Sequence, residues 1–332
     1  MRKDSFVSVE GLDITFDVPG GTLHAVRDVG FSVAQGETLC IVGESGSGKS
    51  MTALGLMGLL PGNATRSARR LRLGDHDLLD LSRRQLAELR GRDMAMIFQE
   101  PMTSLNPCYT VGNQMAETLM RHRGVTRRAA RAAAVDWLER VGIPASANRL
   151  DQFPHQLSGG LRQRVMIAMM LMCEPRLIIA DEPTTALDVT IQAQVLHLLA
   201  GLQRELGITM IFITHDLGVV SRIADRIAVM YAGQVVETGT TREVLLEAQH
   251  PYTRGLLNCV PSPGQTVRGA PLGTIPGTVP SLVGTLAGCS FAGRCAHATA
   301  QCGTGHPALA ERGPGRQARC LYPAETLWGT GR

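Results

Sequence analysis

Apolar and polar positions alternate from the start of this 332-residue chain: "FVSVEGLDITFDV" over 6–18 keeps a period of two, and "TLHAVRDVGFSV" over 22–33 resumes it after the turn "PGG". Successive side chains of a strand point to opposite faces, so the pattern predicts two half-buried strands joined by that turn. "ETLCIVG" (37–43) is instead a continuous apolar run closed by a glycine, as for a buried strand, and "SMTALGLMGLL" (50–60) shifts to helical spacing before stopping at "PGN". "MAMIFQE" (94–100), "RLIIADEP" (176–183) and "TMIFITHD" (209–216) read as further short strands, and "RIAVMYAGQVVETG" (226–239) as a hairpin turning at Ala232-Gly233. Residues 113–141, rich in Ala, Arg and Glu and free of proline, predict helix.

Strands interleaved with helices make an α/β sheet. The helical stretch near 110–155 reads as an insertion between strands of that sheet. Past about residue 250 the composition changes, and "PSPGQTVRGAPLGTIPGTVPSLVGT" (261–285) predicts a loop-dominated appendage. No internal repeat is visible, so whatever site the chain carries is present once. The length suits about two domains, and 44% hydrophobic with 19% charged residues is ordinary globular composition. A net charge of +4 gives no sign of a nucleic-acid partner. The densest basic cluster, Arg121, His122, Arg123, Arg127, Arg128 and Arg131, reads as a solvated helix face. The opening "MRKDSFVSVEGLDITFDV" lacks an apolar signal region, and stretches such as "VMIAMMLMC" (165–173) fall short of the ~20 residues of a membrane span. The expectation is a soluble, cytosolic chain. There stable disulfides are disfavoured, and clustered cysteines favour metal binding or catalysis.

"GESGSGKS" (43–50) fits G-x-x-x-x-G-K-[ST] between an apolar strand and a helix, the context that motif requires. Gly43, Gly46 and Gly48 let the backbone turn its N–H groups toward phosphate, with Glu44, Ser45 and Ser47 between them and Met51 just beyond. Lys49 would reach the β- and γ-phosphates and Ser50 would bind Mg²⁺. "RLIIADEP" puts Asp181 at a strand end, where a carboxylate can hold Mg²⁺ through water. Glu182 can point differently and activate the attacking water.

Together with "QLSGGLRQR" (156–164), these pieces resemble the signature of ATP-binding cassette (ABC) ATPases, over nearly the whole chain. The resemblance implies a P-loop NTPase (RecA-like) α/β core with an antiparallel β subdomain, an inserted α-helical subdomain and a C-terminal loop-rich, cysteine-containing extension. The corresponding division is 1–100 with 165–250, 101–164 and 251–332. It also implies ATP hydrolysis with Mg²⁺. Phe16 falls where the family stacks an aromatic on adenine, and Gly43 to Ser50 match the Walker A loop. Gln99 matches the Q-loop, which senses Mg²⁺ and the membrane partner. Ser158, Gly159 and Gly160 match the signature core, Asp181 and Glu182 Walker B and the catalytic base, Asp188 the D-loop, and His215 the switch histidine. In the family one subunit's signature completes another's phosphate site, which implies a dimer with itself or with a related chain.

"HPYTRGLL" (250–257), "IPGTVPSL" (275–282), "FQEPMTSLNP" (98–107) and "FPHQLSGG" (153–160) resemble the oligopeptide/dipeptide importer ATPases, and in particular their D-type subunits. This branch implies an F-type ATPase partner, two membrane permeases, an external peptide-binding protein, no nucleic acid, and a place on the cytoplasmic face of the bacterial inner membrane. A cassette ATPase outside transport, such as a translation or DNA-repair factor, is the alternative. Those usually carry two cassettes or a long coiled-coil insert, and this chain shows neither.

Cys289, Cys295, Cys302 and Cys320 are spaced C-x5-C-x6-C-x17-C, without the tight pairs that structural zinc favours. An iron–sulfur cluster needs four thiolates and tolerates wider loops. The resemblance implies a [4Fe–4S] cluster at these positions; zinc, with His297 or His306, is the alternative. Two prolines usual after the family's cysteines are replaced by Ser290 and Ala296, and Glu100 stands where Asp usually follows the Q-loop glutamine. Cys40 and Cys173 read as core residues, Cys108 and Cys259 as surface thiols.

Overall fold

The alternation over 6–18 becomes the strand Ser5–Val18 of a computed structural model. The model describes residues 5–99, 104–185, 187–260, 273–284 and 287–328. The chain divides into two compact units, 1–79 with 213–332, and 80–212.

In the first unit Ser5–Val18 pairs antiparallel with Gly21–Ala34, from Ser5 opposite Ala34 to Val18 opposite Gly21. Its other edge takes Ala64–Ser67 and then Arg70–Leu73, again antiparallel. The period-two reading of the strand holds only in part. Phe6, Val7, Ser8 and Val9 are all buried, so the sheet is covered on both faces there. A register shift between Val9 and Leu12, at Gly11 with φ 59°, then separates that run from Leu12 and Ile14.

A second sheet in this unit orders Ala310–Glu311, Gln317–Ala318, Gln234–Thr240, Arg226–Tyr231 and Thr38–Val42. Arg226–Tyr231 runs parallel to Thr38–Val42 and antiparallel to Gln234–Thr240. The hairpin turns at Ala232 and Gly233, whose φ values of 48° and 77° are those of a tight primed turn. Cys40, in the middle of Thr38–Val42, is wholly buried, and burial pushes its thiol pKa up.

The tail joins this unit through the sheet. Ala318 pairs with Glu237, and the buried Arg319 donates Nε to Val235 O at 3.0 Å and Nη1 to Pro307 O at 3.3 Å. Arg316, equally buried, donates to Glu247 Oε2 at 3.3 Å and to Glu243 O at 3.2 Å. His250 caps the helix Pro251–Asn258, its Nδ1 accepting from the Tyr252 N–H at 3.1 Å. Burial drives its pKa from 6.5 down to about 3. Between those two values the unfolded chain binds a proton that the folded chain refuses. This stability is therefore present in full above pH 6.5 and is lost as the pH falls toward 3. His250→Asn keeps a capping acceptor and removes the titration. The rise in urea midpoint between pH 5 and 7 should be smaller in this variant than in the parent chain; an equal rise would contradict the assignment.

In the second unit Met94–Ile97 and Leu177–Asp181 pair in parallel, and Thr209–Thr214, whose last two residues are counted with the first unit, follows Leu177–Asp181 in the strand order. All fifteen residues of these strands are buried. The stretch predicted as one helix over 113–141 is two, Val111–Arg123 and Arg127–Arg140. Gly124 at φ 65° ends the first, and the Thr126 hydroxyl caps the second by accepting from the Ala129 N–H at 3.3 Å. The basic cluster is exposed at Arg121, Arg123, Arg127 and Arg128, yet Arg123 reaches the carbonyl of the buried Cys173, Arg127 reaches Asn113 Oδ1 at 2.7 Å and Arg131 reaches Asp151 Oδ1 at 2.9 Å. Half of that face thus ties the helices together. Among the described residues no helix is long and apolar enough to cross a membrane.

Candidate functional site

The phosphate loop leaves the buried strand Thr38–Val42 and enters the helix Lys49–Met57. Two of its glycines are required. Gly43 has φ 157° and a Cβ there would lie 2.1 Å from Met230 O; Gly48 has φ 98° and a Cβ would lie 2.6 Å from Ala25 O. A side chain at Gly43 would push the loop off the hairpin, and one at Gly48 would push it off the strand Gly21–Ala34. Gly48 is also the helix N-cap and brings no side-chain acceptor. With no side chain capping it, the helix start presents backbone N–H groups toward an anion in the field of the helix dipole. The buried Ser47 hydroxyl has no hydrogen-bond partner among the described residues. Lys49 is 5% exposed, and its Nζ donates to Gly43 O at 2.8 Å and Glu44 O at 2.9 Å. Its ammonium thus stands at the mouth of the loop, while Ser45 and Gly46 are exposed, and Glu44, Ser50 and Met51 are half-buried. The orphaned hydroxyl, the uncapped helix start and the held ammonium fit a phosphate chain with its Mg²⁺.

Phe16 sits on the strand Ser5–Val18 opposite Leu23 and Ala64, half-buried, on the same parity as the buried Leu12 and Ile14. His215 is exposed directly after Thr209–Thr214. The next residue, Asp216, caps the helix Leu217–Ile223 by accepting from the Gly218 N–H at 2.8 Å, and its own N–H donates to Thr214 Oγ1 at 3.0 Å. This pair of bonds fixes the strand-to-helix turn that presents the imidazole.

In the second unit the carboxylates stand at the end of Leu177–Asp181. Asp181 is 5% exposed. Glu182 takes φ 45°, a left-handed conformation that a side chain rarely adopts, and the turn aims its carboxylate away from the strand. That carboxylate accepts from Thr185 Oγ1 at 2.8 Å and from Gln99 Nε2 at 3.3 Å. Two predicted residues, Gln99 and Glu182, are therefore in contact. Thr185 is a third partner that sequence reasoning missed, although it lies in the "EPTT" run beside Glu182. Ser158 caps the helix Gly159–Leu171, its Oγ accepting from Leu161 N–H at 3.4 Å; Ser158 and Gly159 are exposed. A Cβ on Gly160 would meet Ile191 Cγ2 at 2.9 Å. Asp188 caps Val189–Leu206, Oδ1 accepting from Thr190 and Ile191 N–H at 3.1 and 3.0 Å. Arg162 holds the turn before the signature by donating Nε to Pro154 O and Leu157 O at 2.7 and 2.9 Å.

Comparison with known proteins decides the family. The ABC transporter model matches residues 26–185, and the model for the C-terminal region of oligopeptide/dipeptide transporters matches 236–302. The dipeptide transport ATP-binding protein DppD of Bacillus subtilis is 48% identical over 96% of this chain and 94% of its own length. The oligopeptide transport ATP-binding protein OppD of Escherichia coli is 48% identical over 98% and 96%, and the Escherichia coli DppD 46% identical over 97% and 98%. The chain belongs to the ATP-binding proteins of ABC transporters. Among solved structures, the dimeric ATP-binding cassette MJ0796 with ADP and Pi superposes with a TM-score of 0.64 at 28% identity, over 71% of this chain and 99% of that one. Clostridium perfringens cbiO1, part of an ABC transporter complex, gives 0.62 at 31% identity over 74% and 92%.

In this ABC ATPase the tail carries the second candidate site. Gly288 turns at φ 69°, the Cys289 N–H donates to Cys302 O at 2.8 Å, and Cys302 is buried. Burial raises the thiol pKa of Cys289, Cys295 and Cys320, and the cysteines raise one another's further. Cys289 feels Cys302, Cys320 and Cys295, so the four groups share one neighbourhood. Among the described residues no three His, Cys, Asp or Glu surround a point that could hold a single metal ion. His297 packs edge-on against Trp328, and His306 is exposed. The described arrangement therefore supports neither the zinc site nor the iron–sulfur ligand set expected from the sequence.

Proposed function

We propose that this chain is the ATP-hydrolysing motor, the D-type subunit, of an ABC importer of dipeptides and oligopeptides. Near-full-length identity of 46–48% to ATP-binding proteins named for dipeptide and oligopeptide transport carries the reading. The core is 1–100 with 165–250, the helical subdomain 101–164 and the extension 251–332. The amides of 43–50 and Lys49 bind the phosphates, and Phe16 stacks on the base. Ser50, Gln99 and Asp181 hold Mg²⁺, which offsets phosphate charge. Glu182 takes the proton of the attacking water, oriented through its bonds from Gln99 and Thr185. His215 steadies the γ-phosphate. Ser158, Gly159, Gly160 and Asp188 serve a second ATPase, an F-type relative or a copy of this chain. ATP binding closes that pair and hydrolysis reopens it. The motion is passed to two membrane permeases fed by an external peptide-binding protein, at the cytoplasmic face of the inner membrane. Cys289, Cys295, Cys302 and Cys320 hold a [4Fe–4S] cluster that staples the loop-rich extension, a segment with little core of its own.

Tagged chain purified without oxygen from gently solubilised membranes tests both parts. Two permeases and Mg²⁺-dependent ATPase activity should co-purify, with about four irons and four sulfides per chain. Ribosomes or DNA in place of permeases would refute the transport reading. One zinc, or no metal in an active chain, would refute the cluster alone.

A further inference from the structure

Glu44 is the second residue of the phosphate loop, at a position where the G-x-x-x-x-G-K-[ST] pattern asks for no particular side chain. In the first unit it is nonetheless held on three sides. Its N–H donates to the Tyr252 hydroxyl at 2.9 Å, its carbonyl accepts from Lys49 Nζ at 2.9 Å, and its carboxylate takes Arg294 Nη1 and Nη2 at 2.7 and 3.1 Å. Arg294 comes from the tail, one residue before Cys295. All its donor nitrogens are used: Nε reaches Pro276 O at 3.0 Å, Nη2 reaches Ile275 O at 3.1 Å, and Nη1 also approaches Tyr231 Oη at 3.5 Å. The guanidinium lies 5.7 Å from the Tyr231 ring centre, and the side chain is 7% exposed. Phe291 packs against Tyr231 and Tyr252 at ring separations of 5.2 and 5.4 Å, so both groups that grip Glu44 rest on one aromatic block.

We propose that Arg294 is a positioning residue for nucleotide binding: by clamping the Glu44 carboxylate it sets the phosphate loop to receive ATP, and it makes the fold of the tail and the affinity for ATP depend on each other. The inference rests on the reading that 43–50 takes phosphates. A bidentate, nearly buried guanidinium–carboxylate pair is directional and strong. It restrains the peptide between Gly43 and Ser45, whose orientation decides where the loop amides point. Any constraint that the tail imposes on the loop must be returned, since coupling between two events is reciprocal. Bound nucleotide should therefore stiffen the segments 273–277 and 288–296.

The test uses the full chain and a fluorescent ATP analogue with Mg²⁺. Arg294→Met keeps the stem against Tyr231 and removes the fork. It should weaken binding about tenfold and raise KM by a similar factor, with kcat changed less than about twofold. Arg294→Lys should recover less than half of the loss, because one ammonium cannot span two carboxylate oxygens and two carbonyls. Glu44→Gln should weaken binding comparably, and the double variant should be no weaker than the worse single one. Additive losses, or an Arg294→Met chain that binds as tightly as the parent, would overturn the proposal. Should that variant fold poorly, hydrogen exchange of the parent decides. ATP should slow exchange in 288–296 as well as in 43–50. Protection of 43–50 alone would overturn the clamp and leave the phosphate site standing. No ATP binding by the parent chain would bring down both.

Discussion

Glu182→Gln should leave ATP binding intact and lower turnover by about 10²–10⁴-fold, the range typical of a lost general base. Glutamine has the same shape, and its carbonyl oxygen can still accept from Thr185 Oγ1 and Gln99 Nε2. The left-handed turn at Glu182, with φ 45°, asks the same of either residue. What glutamine lacks is a site for the proton of the attacking water. Phosphate release by the purified complex, measured beside equilibrium binding of the nucleotide, separates the two effects. Undiminished turnover in Glu182→Gln would remove the residue from the chemistry. Thr185→Val, which deletes one of these donors, should act in the same direction and more weakly.

Lys49→Ala should weaken ATP binding by at least about 100-fold, roughly 2.7 kcal/mol, the scale of one or two charge-assisted hydrogen bonds to phosphate. The lysine is buried and held by the carbonyls of Gly43 and Glu44, so its position is prepared before the ligand arrives and little side-chain entropy remains to be lost on binding. Its removal also leaves the two carbonyls without that donor, which should cost about 1–3 kcal/mol of stability. Titration with the nucleotide, next to a urea melt of the same variant, distinguishes the loss of affinity from the loss of fold. Affinity within threefold of the parent would exclude Lys49 as a phosphate ligand.

The sequence carried these two residues plainly because each sits in a short segment that fixes its own geometry. An apolar strand, a glycine turn and a helix start dictate where Lys49 stands, and an apolar strand ending in two acids dictates where Asp181 and Glu182 stand. Ser158 and Asp188 were read only as family motif positions, although their capping bonds to amides two or three residues away are local. Contacts between distant segments were not legible. Nothing local tells that Arg294 reaches Glu44, 250 positions earlier, or that Arg319 feeds the carbonyl of Val235. The tail read as a loop-rich appendage because its hydrogen bonds run from arginine side chains to main-chain carbonyls, which leave no periodic trace. The break at Gly124 was visible as a residue but was outweighed by the helix-forming composition on both sides. The cysteine spacing suggested a donor set, and the folded arrangement shows no metal-holding group among the described residues.

Peptide uptake tests the central claim most directly. Cells that normally make this chain would have its gene replaced by the parent sequence, by Glu182→Gln or by Lys49→Ala, and would be given labelled di- and tetrapeptides. The account predicts ATP-dependent accumulation with the parent sequence and loss of it with either variant, at equal amounts of protein in the membrane fraction. Accumulation of both peptides at the parental rate with Glu182→Gln and with Lys49→Ala would show that this chain does not power peptide import.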